Sequence, residues 1–204
     1  KWGPLKGRLL HMSYGTCSLM GVMMEKVGDV VQGGVFKFPL KFESGIMRGR
    51  FSPIDGQLYL AGLKGWQTSA SKDGTLQRVR YVEGRKVTYP ETLRVTNKGI
   101  HVGFTGPLDP NTAADPQNFA VKQWNYKWTS AYGSDDWKVS DPAKKGRDDV
   151  EIKSAKLSLD GKPVFLEIDG LVPVMQMEIR MNVNAADGSP VPDRIINTVN
   201  AIGR

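Results

Sequence analysis

Few side chains of this chain could perform redox or nucleophilic chemistry: one cysteine, Cys17, and two histidines, His11 and His101. A blue copper site needs a cysteine closely followed by a histidine and then a methionine, and here Cys17 precedes Met20 with no histidine between them. A Cys17/His11 nucleophile pair is the alternative, but a cysteine inside a predicted strand is usually a small buried hydrophobe. The sequence therefore favours a structural role for Cys17.

Other motifs of active centres are missing from the sequence. It contains no Cys-x-x-Cys-His haem motif, no phosphate-binding glycine loop, no paired catalytic carboxylates and no Ser/His/Asp arrangement. The acidic residues from Asp135 to Asp149 do not have the spacing of a calcium loop, so we interpret residues 129–149 as a long polar loop that packs back through Tyr132 and Trp137. No metal or cofactor is expected in this chain.

Aromatic side chains point instead to binding. Residues 118–128 predict a long strand in which Trp124, Tyr126 and Trp128 share one face at period two. Such a stripe is either part of a core, which is the commoner outcome, or a stacking platform for sugars or bases. Trp66 and Gln67, which open a polar loop, are two further candidates for ligand contact.

Residues 45–81 predict a β-hairpin followed by a third strand. The tight turn lies at Ser52 to Gly56, and the same order of strand, turn, strand, loop and strand recurs in residues 7–38. The offset is close to the roughly 40–45 residues of a propeller blade. Because a propeller needs about four to eight blades, two blades in residues 1–85 are expected to be incomplete by themselves.

Residues 86–204 predict seven or so short strands, as in an immunoglobulin-like sandwich. His101 alternates with apolar neighbours and is expected on the surface. The clearest alternation places Met175, Met177, Ile179, Met181 and Val183 on one face, which we interpret as core rather than as a copper or haem methionine site. A short helical turn is expected between residues 111 and 115.

Charge is distributed unevenly along the chain. Residues 1–85 contain 13 basic and 6 acidic residues and residues 86–204 contain 15 of each, so the net charge of +7 lies in the first segment. This supports a domain boundary near residue 85 and an attraction for acidic partners. A solvated basic surface is favoured over nucleic-acid binding, because no Lys/Arg run or binding motif accompanies the charge. No apolar run reaches the length of about 18 residues that predicts a membrane span.

Two resemblances are carried by longer stretches. Residues 100–121 resemble the bacterial Ig-like domains of surface-layer and secreted proteins, in the run Ile-His-Val-Gly-Phe-Thr-Gly-Pro-Leu-Asp-Pro-Asn-Thr-Ala-Ala-Asp-Pro-Gln-Asn-Phe-Ala-Val. The closing blades of glucose/sorbosone dehydrogenase-like propellers are resembled by Trp2-Gly-Pro-Leu, Gly45-Ile-Met-Arg-Gly-Arg-Phe, Asp55-Gly-Gln-Leu-Tyr and Gly65-Trp-Gln-Thr. The combination is similar to the C-terminal region of large secreted proteins of Planctomycetes and Verrucomicrobia, which are often joined to a c-type cytochrome domain.

The resemblance implies an all-β chain with two terminal propeller-type blades (residues 1–85) and an Ig-like β-sandwich (residues 86–204). It further implies an accessory part of a secreted or periplasmic oxidoreductase that passes electrons to a cytochrome c, with haem c or a quinone on a missing part or a partner. His11 and Arg48 lie at positions similar to those of the catalytic base and a cofactor-binding arginine, although blade core and surface are the favoured interpretation of both. The alternative function is a non-catalytic scaffold or glycan-binding module, whose partners are the remaining blades or another chain.

Overall fold

Strands are the main regular secondary structure of the computed structural model, which describes residues 2–204: 46% of the residues lie in strands and 5% in helices. The all-β class predicted from the sequence is confirmed. The strands are, in chain order, β1 (Leu10–Ser13), β2 (Ser18–Val27), β3 (Val30–Lys37), β4 (Gly45–Phe51), β5 (Leu58–Leu63), β6 (Gly74–Val79), β7 (Pro90–Thr96), β8 (Gly99–Phe104), β9 (Phe119–Trp124), β10 (Asp148–Val150), β11 (Ser154–Leu157), β12 (Val164–Glu167), β13 (Val174–Met181) and β14 (Arg194–Val199). The helical turn expected after residue 110 is present as α1 (Pro110–Ala113), and 3-10 turns lie at Gly3–Leu5 and Pro116–Asn118. None of the helices in residues 2–204 is long and apolar enough to cross a membrane.

The chain divides into two compact units. Unit 1 holds residues 2–22 and 36–86, and unit 2 holds Met23–Val35 and Val87–Arg204. The sequence placed a boundary between residues 85 and 86 and carried no signal that residues 23–35 would belong with the C-terminal part. A closed propeller is not seen among residues 2–204.

In unit 1, β4, β5 and β6 form an antiparallel meander. The first turn lies where its residue types predicted it: Ser52 Oγ accepts hydrogen bonds from the backbone N–H groups of Ile54 and Asp55, and Gly56 adopts a φ of 69°. Leu58 and Leu60 point to the buried side of the meander. The predicted hairpin and its third strand are therefore confirmed.

A buried glutamine, Gln32, links residues 23–35 to the C-terminal end of unit 2. The side-chain oxygen of Gln32 accepts from the backbone N–H groups of Asn200 and Ala201 at 2.8 and 2.9 Å. Its Nε2 donates to the carbonyl of Ala201 at 2.8 Å and to Glu25 Oε2 at 2.9 Å. The bonds to Asn200 and Ala201 join residues 168 and 169 positions apart, a pairing that no local pattern encodes.

Unit 2 contains a four-stranded sheet in the order β11-β12-β8-β7 and a larger sheet in which β3-β14-β13-β9-β10 are neighbours. Alternate side chains of both sheets are fully buried, among them Ile100 and Leu166 in the smaller sheet and Ile179 and Ile195 in the larger one. The core of unit 2 lies on these faces.

The alternation predicted for β13 is confirmed for most of its length. Met177, Ile179, Met181 and Val183 are buried, as expected of a core face. The prediction is wrong for Met175, which is exposed. A shift in register between residues 174 and 177, where β13 pairs with β14, interrupts the period of two at this end of the strand.

Candidate functional site

The connection between β9 and β10, residues 125–147, is named here the aromatic loop. Its base is fixed by backbone pairing, because Asn125 and Trp137 exchange two N–H···O=C hydrogen bonds of 2.8 Å each. Trp137 also forms a bridge with Lys145, and Lys138 N–H donates to the carbonyl of Lys144 at 3.0 Å. The aromatic loop therefore begins and ends with ordered backbone despite its polar sequence.

Arg147 holds the loop against the larger sheet of unit 2. Its Cζ lies 3.8 Å from the centroid of the Trp124 ring, and its Nε donates to Asp136 Oδ2 at 2.7 Å. Its Nη1 is 3.7 Å from Glu178 Oε2. A cation over the face of an indole is attracted by the ring quadrupole, so Arg147 links Trp124 of β9, the loop and β13.

Glu178 is the buried centre of this network. Its side chain is 2% exposed, and besides Arg147 it contacts Arg180 Nε at 3.2 Å and Arg194 Nη1 at 3.4 Å. Arg180 and Arg194 face each other on neighbouring strands, where like charges destabilise a sheet. The carboxylate between them offsets that repulsion, so the cluster stabilises the sheet and the loop together.

Asp148 fastens the far end of the loop. Burial by itself would raise its pKa, but hydrogen bonds from the N–H and hydroxyl of Ser140 and from the N–H of Val139 outweigh it and lower the pKa below its ordinary value. Asp148 therefore stays ionised near neutral pH and fixes residues 139 and 140. The acidic residues of the loop are used inside it in the same way, as Asp135 is in its ion pair of 2.6 Å with Lys145.

The tip of the loop, residues 126–134, differs from the base because its aromatic side chains are exposed to solvent. Trp128 is 100% exposed and Tyr132 is 87% exposed, while Tyr126 is about half exposed. Lys127 is turned away from the tip, because its Nζ lies 3.4 Å from the centroid of the Trp137 ring. The tip thus presents aromatic rings to solvent on a fixed base.

The predicted strand of residues 118–128 is wrong in its length. β9 ends at Trp124, since the next residue pairs with Trp137 and the chain leaves the sheet. Trp124 is buried beneath Arg147, whereas Tyr126 and Trp128 belong to the loop, so the stripe at period two does not form. The expected packing of the loop through Trp137 is present, whereas the Tyr132 side chain is 87% exposed.

The remaining candidate residues lie in unit 1. His11 in β1 and Arg48 in β4 are both exposed, and Arg48 Nη1 donates to the neighbouring carbonyl of Met47 at 3.0 Å. Trp66 and Gln67 are exposed in the loop after β5, and Gln67 has a φ of 55°. Among the described residues no hydrogen bond joins His11 to Arg48. Their catalytic roles stay predictions.

Cys17 lies away from any grouping of potential metal ligands among residues 2–204. Cys17 is buried, and its Sγ lies 3.5 Å from Thr68 Oγ1, which agrees with its interpretation as a small buried residue. Within residues 2–204, no three His, Cys, Asp or Glu side chains are grouped so that they could hold a metal ion.

Comparison with known proteins adds no relative. The chain matches no family model, no curated protein sequence and no solved structure. The similarity to dehydrogenase-like propellers and to bacterial Ig-like domains, and the haem or quinone expected on a partner, therefore stay predictions.

His101 is expected to titrate below the ordinary histidine value of 6.5. Partial burial against Phe165, whose ring centroid is 4.4 Å away, lowers its pKa, and the charge of Arg94 lowers it further. On acidification, the His101 imidazole takes up a proton at a higher pH in the unfolded chain than in the folded chain. The stability that neutral His101 contributes is therefore present above pH 6.5 and is lost as the pH falls through the folded pKa. Proton NMR of the two histidines measures this directly, with His11→Gln to assign the signals. Arg94→Gln should raise the His101 pKa, and an unchanged value in that variant would contradict the electrostatic cause.

Proposed function

We propose that this chain is a non-catalytic carbohydrate-binding module of a larger periplasmic or extracellular assembly, and that the tip of the aromatic loop contacts the sugar. The observation that carries the proposal is Trp128, whose side chain is wholly exposed on a loop with a fixed base. Large aromatic side chains are rarely left fully in water, because burying one removes roughly 150–250 Å² of surface from solvent.

Covering the exposed rings of the tip contributes a favourable term to the free energy of binding. At about 25 cal/mol per Å², covering one large aromatic ring of roughly 150–250 Å² contributes about 4–6 kcal/mol before the costs of association. A sugar ring suits such a surface, since its C–H face is flat and apolar while its hydroxyls stay hydrated. Tyr126 and Tyr132 add two further exposed aromatic rings.

The fixed base lowers the entropic cost of binding. A loop that is ordered before it meets its ligand loses less conformational freedom on association. Arg147, Asp148 and the Asn125–Trp137 pair order both ends of this loop, and the backbone N–H of Tyr126 also donates to Met175 Sδ of β13 at 3.4 Å, so the Trp128 ring is left in solvent. Trp128 is thus presented by the protein rather than left in a disordered segment.

Charge favours an uncharged ligand at this site. Within residues 126–134 the only charged side chain is Lys127, and its ammonium group lies over the ring of Trp137. The remaining tip residues are aromatic, hydroxyl-bearing or small, a composition that combines rigid contact area with adaptable hydrogen bonding. We therefore propose a neutral polysaccharide as the ligand class.

We also propose the finer architecture that the sequence suggests. The β4–β6 meander supports a propeller-type blade, and the two sheets of unit 2 support an Ig-like sandwich. The electron-transfer role stays a prediction beside the binding role. It is tested by the visible spectrum of the native, full-length material, in which haem absorbs strongly.

Replacing Trp128 with alanine should weaken binding to a neutral polysaccharide at least tenfold without changing the fold. The ring touches solvent alone, so its loss removes ligand contact but little stability. The measurement is affinity electrophoresis and pull-down of the purified chain on cellulose, xylan and starch. Tyr132→Ala should have a smaller effect in the same direction.

The matched control is Leu159→Ala, which removes another fully exposed apolar side chain from a different turn of unit 2. It should bind as the unchanged chain does. Equal binding by the Trp128 variant and the unchanged chain, or retention by none of the neutral polysaccharides, would overturn the proposal.

A further inference from the structure

The solvent side of the β4–β6 meander carries a second surface, which we name the arginine face: Arg48, Arg50, Tyr59, Leu76 and Arg78. Register places these side chains in two rows across the three strands. Arg50, Tyr59 and Arg78 are direct neighbours in one row, and Arg48, Ala61 and Leu76 are neighbours in the other. Leu58 and Leu60 alternate with Tyr59 and Ala61 along β5, and both leucines are buried. The two rows therefore lie together on the opposite side of the meander, which faces solvent.

The charge of this face is only partly neutralised. Of the ion pairs formed by residues 2–204, the one that involves the arginine face joins Arg78 Nη1 to Asp55 Oδ2 at 3.6 Å. Arg48 and Arg50 are exposed and donate only to neighbouring backbone carbonyls, at 3.0 and 2.7 Å. Three guanidinium groups therefore face one carboxylate. This surface lies in the segment that carries the whole excess positive charge of the chain.

One corner of the face is preorganised. Tyr59 Oη donates to Asp55 Oδ2 at 2.9 Å, and Arg78 lies with its Cζ 5.9 Å from the Tyr59 ring centroid. The N–H of Gln57 donates to the Asp55 carboxylate at 3.0 Å and is the largest of the contacts that lower its pKa; the Tyr59 hydroxyl also lowers it, and burial opposes both. Asp55 therefore stays ionised and holds the tyrosine and Arg78 in place on the sheet.

We propose that the arginine face binds an acidic polysaccharide, a ligand distinct from the neutral sugar of the aromatic loop. Residues two apart on a strand are about 7 Å apart and residues two strands apart are about 10 Å apart. Charges spread over that triangle fit several sulfate or carboxylate groups along one chain better than a single small anion. Arginine suits both groups, because its planar fork donates two parallel hydrogen bonds to an oxyanion.

The small number of aromatic side chains on the arginine face favours an acidic polysaccharide over other polyanions. Single-stranded nucleic acid is bound by successive aromatic platforms on which bases stack. The arginine face has one aromatic ring, Tyr59, and its hydroxyl is already bonded to Asp55. A protein partner would meet an apolar centre with a polar rim, whereas the exposed Leu76 and Leu63 lie towards one end of this side of the meander and the arginines surround Tyr59. One ring between two arginines fits a sugar unit flanked by its charged groups.

The test uses the full chain with heparin and polygalacturonate as probes, in pull-down and in titration calorimetry at two salt concentrations. We expect binding to both polymers that weakens as salt rises, because polyanion binding releases counterions. Arg48→Ala/Arg50→Ala/Arg78→Ala should weaken it at least tenfold, and Arg48→Ala alone about threefold. The single variant keeps the test decisive if the triple variant unfolds, because the Arg48 side chain is exposed.

Lys86→Ala/Lys98→Ala/Lys162→Ala is the matched control, since it removes the same charge from exposed positions elsewhere. It should retain most of the binding, and an equal loss would show that net charge alone is responsible and overturn the proposed site. Tighter binding of single-stranded poly-dT than of either polysaccharide would also overturn it. Trp128→Ala should leave acidic-polymer binding unchanged and the triple arginine variant should leave neutral-polymer binding unchanged, so the two proposals fail separately.

Discussion

Replacing Glu178 with glutamine should lower the free energy of unfolding by about 3 kcal/mol, because removing one partner of a buried ionic cluster leaves its other charges uncompensated. Glutamine keeps the shape of the side chain but removes the charge that lies among three guanidinium groups. Arg180 and Arg194 would then face each other across two strands with no carboxylate between them. Urea unfolding at pH 7 measures the change.

The same variant should loosen the aromatic loop, since Arg147 loses its contact with β13. Limited trypsin digestion should therefore cut the loop faster, at lysines that its ordered base now protects. Glu167→Gln is the control, because that carboxylate is partly exposed and pairs with exposed Lys156, so its loss should lower the free energy of unfolding far less than the loss of Glu178 does. Similar losses of stability in the two variants would contradict the central role of Glu178.

Replacing Gly99 with alanine should cost about 3 kcal/mol or more in unfolding free energy. Gly99 ends the turn between β7 and β8 with a φ of 148°, a region that L-residues rarely adopt. A Cβ there would overlap the backbone oxygen of Leu166 in the neighbouring strand and lie 2.9 Å from the Phe165 ring. Backbone strain of about 1–3 kcal/mol and overpacking of about 1–3 kcal/mol act together. Thermal and urea unfolding give the loss.

Gly84→Ala separates the two causes of that loss. Gly84 also has a positive φ, of 80°, but nothing lies within 4 Å of the position of its Cβ. It should show only the conformational cost, about 1–2 kcal/mol. If both glycine variants lost the same stability, close approach of the β8 and β12 backbones would not be the reason for glycine at residue 99.

The sequence predicted the local elements of this protein well, for a physical reason. Turn chemistry and alternation depend on residues one to four positions apart, so the turn at Ser52 to Gly56 and the buried face of β13 can be inferred from neighbours alone. The prediction fails at Met175 because the register shift there depends on pairing with β14, which the residues of β13 alone do not specify.

The residues of the proposed binding site were predicted less completely. Trp128 and Tyr126 were identified as candidates by their type, but they were placed on a strand with Trp124 that ends before them. Tyr132 was expected to pack inward and is exposed. A run of serine, glycine and threonine around these rings was the available signal for a loop, and it competed with the high strand propensity of aromatic residues.

By itself, then, the sequence determined the all-β class, most turns, the core face of β13 and the segment that carries the positive charge. Only the tertiary structure decided that Gln32 joins residues 23–35 to unit 2, that Arg147 covers Trp124, and that Glu178 lies among three arginines. Except for the local Glu178–Arg180 pair, these contacts join residues that are 16 to 169 positions apart in the sequence. They depend on strand order and register, which arise when many strands bury their apolar faces together, and local patterning does not specify which strands become neighbours.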